Sequence, residues 1–217
     1  MQGHHPAIEE YTEAIFELKE DKVDVIQARI AERLEVSRPA VSEMIHRLES
    51  EGLVVIEGGL IELTESGREI AVRTVRRHRL AERFLTDMLG LSWAAAHLEA
   101  GKWEHVISPE VEEAMFEALG QPTTCPHGNP IPDSGYSPPD TIALQDLEVG
   151  DEFVVSRIPE KLEFAPGVLT FLEESRVMPG LRGKVVALAP DGTVTVEVQG
   201  KSTGLGSFVS SEILVRQ

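Results

Sequence analysis

Between residues 7 and 20, apolar side chains fall at Ile8, Tyr11, Ile15, Phe16 and Leu18, a three-and-four spacing that predicts an amphipathic helix. Two further helical runs, 26–34 and 38–51, are separated only by Glu35, Val36 and Ser37. Ser37 is a good N-cap and Pro39 belongs in a first helical turn, so the second run starts there. Two helices joined by so short a turn form a helix-turn-helix pattern. The stretch LVVIEGGLIELT then predicts a β-hairpin turning at Gly58-Gly59, a wing beside those helices. Residues 66–89 predict one long helix with Ile70, Val75, Leu80, Phe84 and Leu85 along a stripe too long for a domain of this size to cover, which implies pairing with a second copy. Helices over roughly 92–107 and 109–119 follow, the second opened by Ser108 and Pro109. Periodicity vanishes in the Pro-, Gly- and Ser-rich stretch 121–141, which has linker composition. From 142 onward, short alternating strands, a turn at Ala189-Pro190-Asp191-Gly192 and a short helix near PGVLTFLEES predict a small, partly closed β-barrel.

Composition narrows the function. The 217 residues are 41% hydrophobic, with no apolar run of membrane-spanning length and no signal-peptide core, so the expectation is a cytoplasmic protein without a membrane partner. A single cysteine, Cys125, excludes an internal disulfide framework and leaves a thiol that either ligates metal or sits buried. The formal net charge of -17 runs against DNA binding unless the DNA-facing surface is locally basic. Arg29, Arg33, Arg38, His46 and Arg47 supply such a patch in the helix-turn-helix. Excess carboxylate fits a protein that is repelled by DNA until cations bind, and equally one that never touches DNA.

Metal-type side chains recur at helical spacing. His78 and Glu82 stand one turn apart; His97, Gly101, Glu104 and His105 form a stripe over two turns; Glu10, Glu13 and Glu17 share a face of the first helix. Imidazole and carboxylate converging from three helices hold a divalent cation, whereas any one alone reads equally as a solvated carboxylate or a satisfied core histidine. Two other classes compete. A metal hydrolase built on the WEH motif needs an open coordination position and a substrate cleft, and the chain has no HExxH spacing. A metal-independent winged-helix repressor sensing a small molecule needs an apolar pocket at its dimer interface.

The stretches ARIAERLEVSRPAVSEMIHRLESEGLVV, RRHRLAERFL, EAGKWEHVISPEVEE and CPHGNPIP, in this order, resemble the diphtheria toxin repressor family, which includes iron-dependent regulators and manganese-responsive transport regulators. The resemblance covers essentially the whole chain. It implies a mainly α protein with β structure: a winged helix-turn-helix DNA-binding domain (1–65), a helical dimerisation and metal-binding domain (66–120), a Pro-rich linker (121–141) and an SH3-like, FeoA-like β-barrel domain (142–217). It implies one metal site from Glu10, Glu104 and His105. Gly101 there offers only its carbonyl where many relatives carry Cys or Glu, so either the site has lost a ligand or water or a neighbour such as Glu13 replaces it. A second site is implied at His78 and Glu82, completed by His97 as in some iron-type members or by Cys125 and His127 as in several manganese-type members, with an acid from the last domain. Glu160 is the first candidate for that acid and Glu163 the reserve.

The expected cofactor is Mn2+, with Fe2+ the alternative and other divalent cations able to substitute, because Glu stands at position 10 where iron-type relatives have Met and no sulfur stands at 101. The expected partners are a palindromic double-stranded DNA operator and a second copy of the chain. A cation bound between the first helix and the dimerisation helices fixes the two recognition helices at successive major grooves, about 34–36 Å apart. Arg29, Ser37, Arg38, Pro39, Ser42, Glu43 and Arg47 are the candidates for DNA contact: the arginines for phosphates, Ser37 and Ser42 for phosphates or base edges, Pro39 for a thymine methyl and Glu43 for a cytosine amine.

Overall fold

The computed structural model describes residues 6–217. Helix α1 (Pro6–Glu20) buries Ile8, Tyr11, Ile15 and Leu18 in a core shared with α2 (Gln27–Arg33), α3 (Arg38–Ser50), β1 (Val54–Glu57) and β2 (Leu60–Leu63). Ser37 caps α3 through Ala40 N, with Pro39 in the first turn. The β1–β2 hairpin turns through Gly58 and Gly59 at φ 59° and 87°, the left-handed pair that a two-residue hairpin requires. Thr64 caps the next helix, so α4 (Glu65–Asp87) begins one residue earlier than the apolar stripe suggests.

Helix α4 packs against α1, α5 (Trp93–Trp103) and α6 (Pro109–Ala118). Leu80, Leu85, Ala96, Ala100, Ile107, Met115 and Ile131 form this second core. Helix α5 stops short of residue 107 because Val106 and Ile107 both donate to Trp103 O, closing the turn. The segment expected to be a plain linker is partly interior: residues 125–129 and Ile131 are buried, and an isolated bridge joins Thr124 to Pro130.

The last unit contains β3 (Ile142–Ala143), β4 (Glu152–Arg157), α7 (Glu160–Glu163), α8 (Val168–Glu174), β5 (Arg182–Leu188), β6 (Val194–Val198), β7 (Lys201–Leu205), α9 (Ser207–Ser210) and β8 (Leu214–Arg216). Its antiparallel sheet runs β3-β8-β4-β5-β6-β7. Among the described residues β3 and β7 do not pair, so the expected barrel remains an open sheet around its own core of Phe153, Val155, Leu172, Val185, Val196 and Val215. No described helix is long and apolar enough to cross a membrane.

A buried ionic network fastens this unit to the others. Arg79, fully buried in α4, reaches Glu20 at 2.7 Å, Glu160 at 3.0 Å and Pro130 O at 2.5 Å. Arg157 of β4 pairs with Glu20 at 3.1 Å and Asp21 at 2.7 Å and donates to Asn129.

Candidate metal centre

Metal-type side chains from α1, α4, α5, the 125–129 loop and α7 converge behind α4, in three groups whose ligand atoms lie within 4.8 Å of one another: Glu13–His78–Glu104, His78–Glu82–His97 and Glu82–Cys125–His127. The four-residue step from His78 to Glu82 keeps both on the buried face of α4. His78 Nδ1 stands 2.5 Å from Glu104 Oε2, and its Nε2 stands 3.3 Å from Glu82 Oε1. His97 Nδ1 lies 2.9 Å from Glu82 Oε1 and 3.3 Å from Glu163 Oε2, and His127 Nδ1 lies 2.8 Å from Glu163 Oε2.

Of the two candidate acids, Glu163 joins this cluster, while Glu160 turns its Oε1 to Arg79. The difference is positional: three residues apart on α7, Glu163 faces the histidines and Glu160 the arginine. On α1 the buried acids are Glu9, Glu13 and Glu17, whereas the Glu10 side chain is 51% exposed, 3.9 Å from His105 Nε2. His105 Nδ1 instead bonds Glu9 at 2.8 Å, and its Nε2 is 3.3 Å from Glu104 Oε1. Sequence inspection missed Glu9, although its i, i+4, i+8 spacing with Glu13 and Glu17 marks it. Gly101 lines the same cleft, about 220 Å³ in volume, and a Cβ there would meet nothing within 4 Å.

Burial and crowding set the protonation states. Burial drives the Glu13 carboxyl well above the usual range, and Glu104 and Glu17 push the same way. At His78 burial favours the neutral ring, but Glu82 and Glu104 outweigh it and raise the pKa well above the ordinary value; at His127 Glu163 and Glu82 do the same. His97 is raised to about 9, its bonds to Glu163 and Glu82 overcoming burial. Burial also opposes ionisation of Glu82, yet His127 and His78 hold it well below the usual range. Burial, with the nearby Glu82, lifts the Cys125 thiol to about 11. Histidine protons and the ionised forms of Glu82 and Glu163 thus favour one another, while Glu13 is pushed toward its neutral form.

The donor set fits a divalent cation. Glu13 Oε1, Glu82 Oε2, Glu163 Oε2 and both ring nitrogens of His127 are buried without a hydrogen bond of proper geometry. His127 Nδ1 is thus near Glu163 Oε2 without being aimed at it. Each such atom left without a partner costs about 1–3 kcal/mol. Carboxylate and imidazole atoms that crowd together yet fail to pair, with the Cys125 thiol beside them, are the kinds of donor that a divalent cation takes.

The DNA-contact candidates lie on α2, on the turn before α3 and on α3. Ser37, Arg38, Pro39, Glu43 and Arg47 are exposed on or before α3, Ser42 is half-buried, and Arg29 is exposed on α2. Ser37 Oγ accepts from Ala40 N, Arg47 pairs with Glu51 at 2.8 Å and Arg29 with Glu32 at 2.7 Å.

Residues 5–59 match the family described as iron dependent repressor, N-terminal DNA binding domain, residues 64–133 its metal binding and dimerisation domain, and residues 142–217 the FeoA domain. The iron-dependent repressor IdeR of Mycobacterium tuberculosis is 39% identical over 204 residues, 88% of each chain. The diphtheria toxin repressor of Corynebacterium efficiens is 44% identical over 155 residues, 68% of this chain and 67% of that one. Among solved structures, a manganese-dependent transcriptional repressor in complex with manganese superposes with a TM-score of 0.84 at 32% identity, over 96% of this chain and 98% of that one.

Proposed function

The chain belongs to the diphtheria toxin repressor family of metal-dependent transcriptional repressors, and on that premise we propose that it is a manganese-activated repressor that binds a palindromic operator as a homodimer. The family consists of DNA-binding repressors and not enzymes, so the hydrolase reading falls away. The observation that carries the proposal is the Glu13–His78–Glu104 group, whose ligand atoms are gathered from α1, α4 and the end of α5 with no sulfur among them. Oxygen-rich, sulfur-free donor sets suit manganese better than later transition metals. The solved relative named for manganese supports the same choice, while the sequence relatives named for iron make Fe2+ the second reading.

A divalent cation supplies this group with positive charge and a fixed link between α1 and the dimerisation helices. Without it, burial holds the Glu13 carboxyl toward its neutral form beside Glu104, and α1 lacks that link to the dimerisation helices. Glu10 and His105 stand at the mouth of the same cleft, and Gly101 contributes only backbone. We assign Cys125, His127, Glu82 and Glu163 to the second site, with His97 beside them; Glu160 serves the Arg79 pair. The dimerisation helices and the turn between them expose Met88, Leu89, Leu98 and Val106, apolar surface suited to a second copy. Arg38 and Arg47 serve phosphates, and Ser42 and Pro39 face base edges. The site of action is the cytoplasm, where operator DNA lies, and the division at 1–65, 66–120, 121–141 and 142–217 follows from these roles.

The test is fluorescence anisotropy of a palindromic promoter fragment with chelator-stripped protein, titrated separately with Mn2+, anaerobic Fe2+ and Zn2+. Binding that appears with Mn2+ at micromolar concentration supports the proposal. Activation by Fe2+ alone supports the iron reading, and equal binding in chelator overturns both.

A further inference from the structure

The sequence places Arg33 in the basic patch of the helix-turn-helix, but at the end of α2 its side chain is withdrawn to 6% exposure. Its Nη2 donates to Glu17 of α1 at 3.0 Å, and its buried Nε has no hydrogen-bond partner among the described residues. The ring of Phe164 covers the guanidinium, with Cζ 4.2 Å from the ring centroid. Phe164 belongs to the last unit, where it caps α7 and its N donates to Glu160 O. The same ring stands edge-on to His97 of α5, with centroids 5.1 Å apart and planes at 87°. Burial does not account for a phenylalanine here: Phe164 is 48% exposed, and α7 meets its own core through Leu162. An aromatic face attracts a cation, and more strongly when the cation has lost water. Arg33, buried against a single carboxylate, is such a cation.

We infer that Phe164 is a positioning residue that fastens α2 to the last unit: its ring face holds Arg33, its edge rests on His97, and α3 takes its orientation from the α2 so held. Ile30 and Ala31 of α2 share a core with Val41 and Ile45 of α3, and the two helices are in contact, so a shift at Arg33 carries α3 with it. Phe164 is itself anchored from both sides of α7. Glu160, four residues earlier, pairs with Arg79 at 3.0 Å, and Glu163, one residue earlier, accepts from Asn129. The last unit thus reaches the DNA-binding unit directly, through a contact that bypasses the α1 link assigned above to the cation. The effect on operator binding rests on the repressor reading, whereas the hold on α2 does not.

The experiment uses the full chain with Phe164 replaced by leucine, by monofluorophenylalanine and by trifluorophenylalanine; the fluorinated rings keep their shape while the attraction of the face for a cation weakens step by step. Amide hydrogen exchange of α2, read by mass spectrometry, is expected to quicken in the order phenylalanine, monofluoro, trifluoro, leucine, by about threefold to tenfold across the series, with α6 unchanged as the internal control. In saturating Mn2+ the Kd for a palindromic promoter fragment is expected to rise by about the same factor, with bound Mn2+ at the wild-type level. Fluorinated proteins that exchange like wild type beside a faster leucine variant reveal a ring that only fills space, and they overturn the inference. Unchanged exchange in Phe164→Leu overturns it too, as does a graded exchange series with an unchanged Kd, which severs α3 from α2. A wild type that binds no fragment with any metal overturns the repressor reading, and the exchange series then decides on the hold of Phe164 by itself.

Discussion

Gly128 lies between two proposed ligands' neighbours, where the backbone of the 125–129 loop presses on β4, and replacing it with alanine tests how that loop is held. Its φ is +88°, and a Cβ there would stand 2.3 Å from Ser156 O and 3.1 Å from Arg157 Cα. Neither neighbour is a flexible side-chain end. The left-handed conformation costs a residue with a Cβ about 1–2 kcal/mol, and overfilling a packed site costs about 1–3 kcal/mol more. Gly128→Ala therefore loses about 2–5 kcal/mol of stability in chelator, read from the midpoint of urea unfolding. Relief of the clash also moves the loop off β4, weakening the Ile158 N–His127 O bond of 2.8 Å and drawing Cys125 and His127 away from Glu82 and Glu163. The thiolate-to-cobalt band of the variant should appear only at Co2+ concentrations at least tenfold higher, on the order of 1.4 kcal/mol of binding. Gly135→Ala is the control, because Gly135 has φ +76° but nothing within 4 Å of a Cβ. Equal losses at the two positions would refute a role for close approach, and so would an unshifted cobalt titration in Gly128→Ala.

Gly101→Glu places a carboxylate in the cleft with Glu13 and Glu104, where a Cβ meets no atom within 4 Å; Mn2+ affinity, followed by electron paramagnetic resonance of free Mn2+, should rise at least tenfold, and no change would mean that the new side chain does not reach the ion. The pH dependence follows from histidines whose folded pKa values exceed the ordinary 6.5, that of His97 reaching about 9. Their protonated forms stabilise the metal-free fold fully below pH 6.5, and this stabilisation is lost as pH rises through about 9. The melting temperature of metal-free protein should thus fall between pH 7 and 9.5, while Mn2+ affinity rises as protons leave His78; a flat metal-free profile would contradict the charged cluster. Arg79→Met leaves Glu20 and Glu160 without their shared cation and should cost about 3–5 kcal/mol in urea unfolding, partly restored by adding Glu160→Gln. A loss under about 1 kcal/mol would mean that water already screens these charges.

Local chemistry was readable in the chain before the structure. The Ser37 cap, Pro39 in the first turn, the Gly58-Gly59 hairpin and the Ser108–Pro109 helix start are all set by a few adjacent residues, and each stands where expected. The metal-type residues on α4 and α5 were equally legible, because one helical turn fixes which positions share a face. The rest depends on contacts distant in sequence. On α1, the expected face of Glu10, Glu13 and Glu17 follows the buried side at Glu13 and Glu17, while Glu9, one residue before Glu10, completes it in the 9, 13, 17 spacing. The 125–131 stretch has linker composition, and its burial comes from Asn129 donating to Ile158 O and Glu163 and from His127 O accepting from Ile158, none of which leaves a periodic trace. Four-residue α7 has no amphipathic period either, so the division of labour between Glu160 and Glu163 waits on where Arg79 lies.

The Arg79 and Arg157 network has a consequence for how the protein comes into being. Arg79 and Glu160 are 81 positions apart, and Arg157 and Glu20 are 137 apart. During synthesis the winged helix and the helical unit leave the ribosome and fold first, with Arg79 and Glu20 still facing water. Contacts closing such long loops form late. Until Glu163 emerges, Cys125 and His127 have only Glu82 beside them, and the carboxylate that stands 2.8 Å from His127 Nδ1 joins the cluster only after the chain has extended past α7.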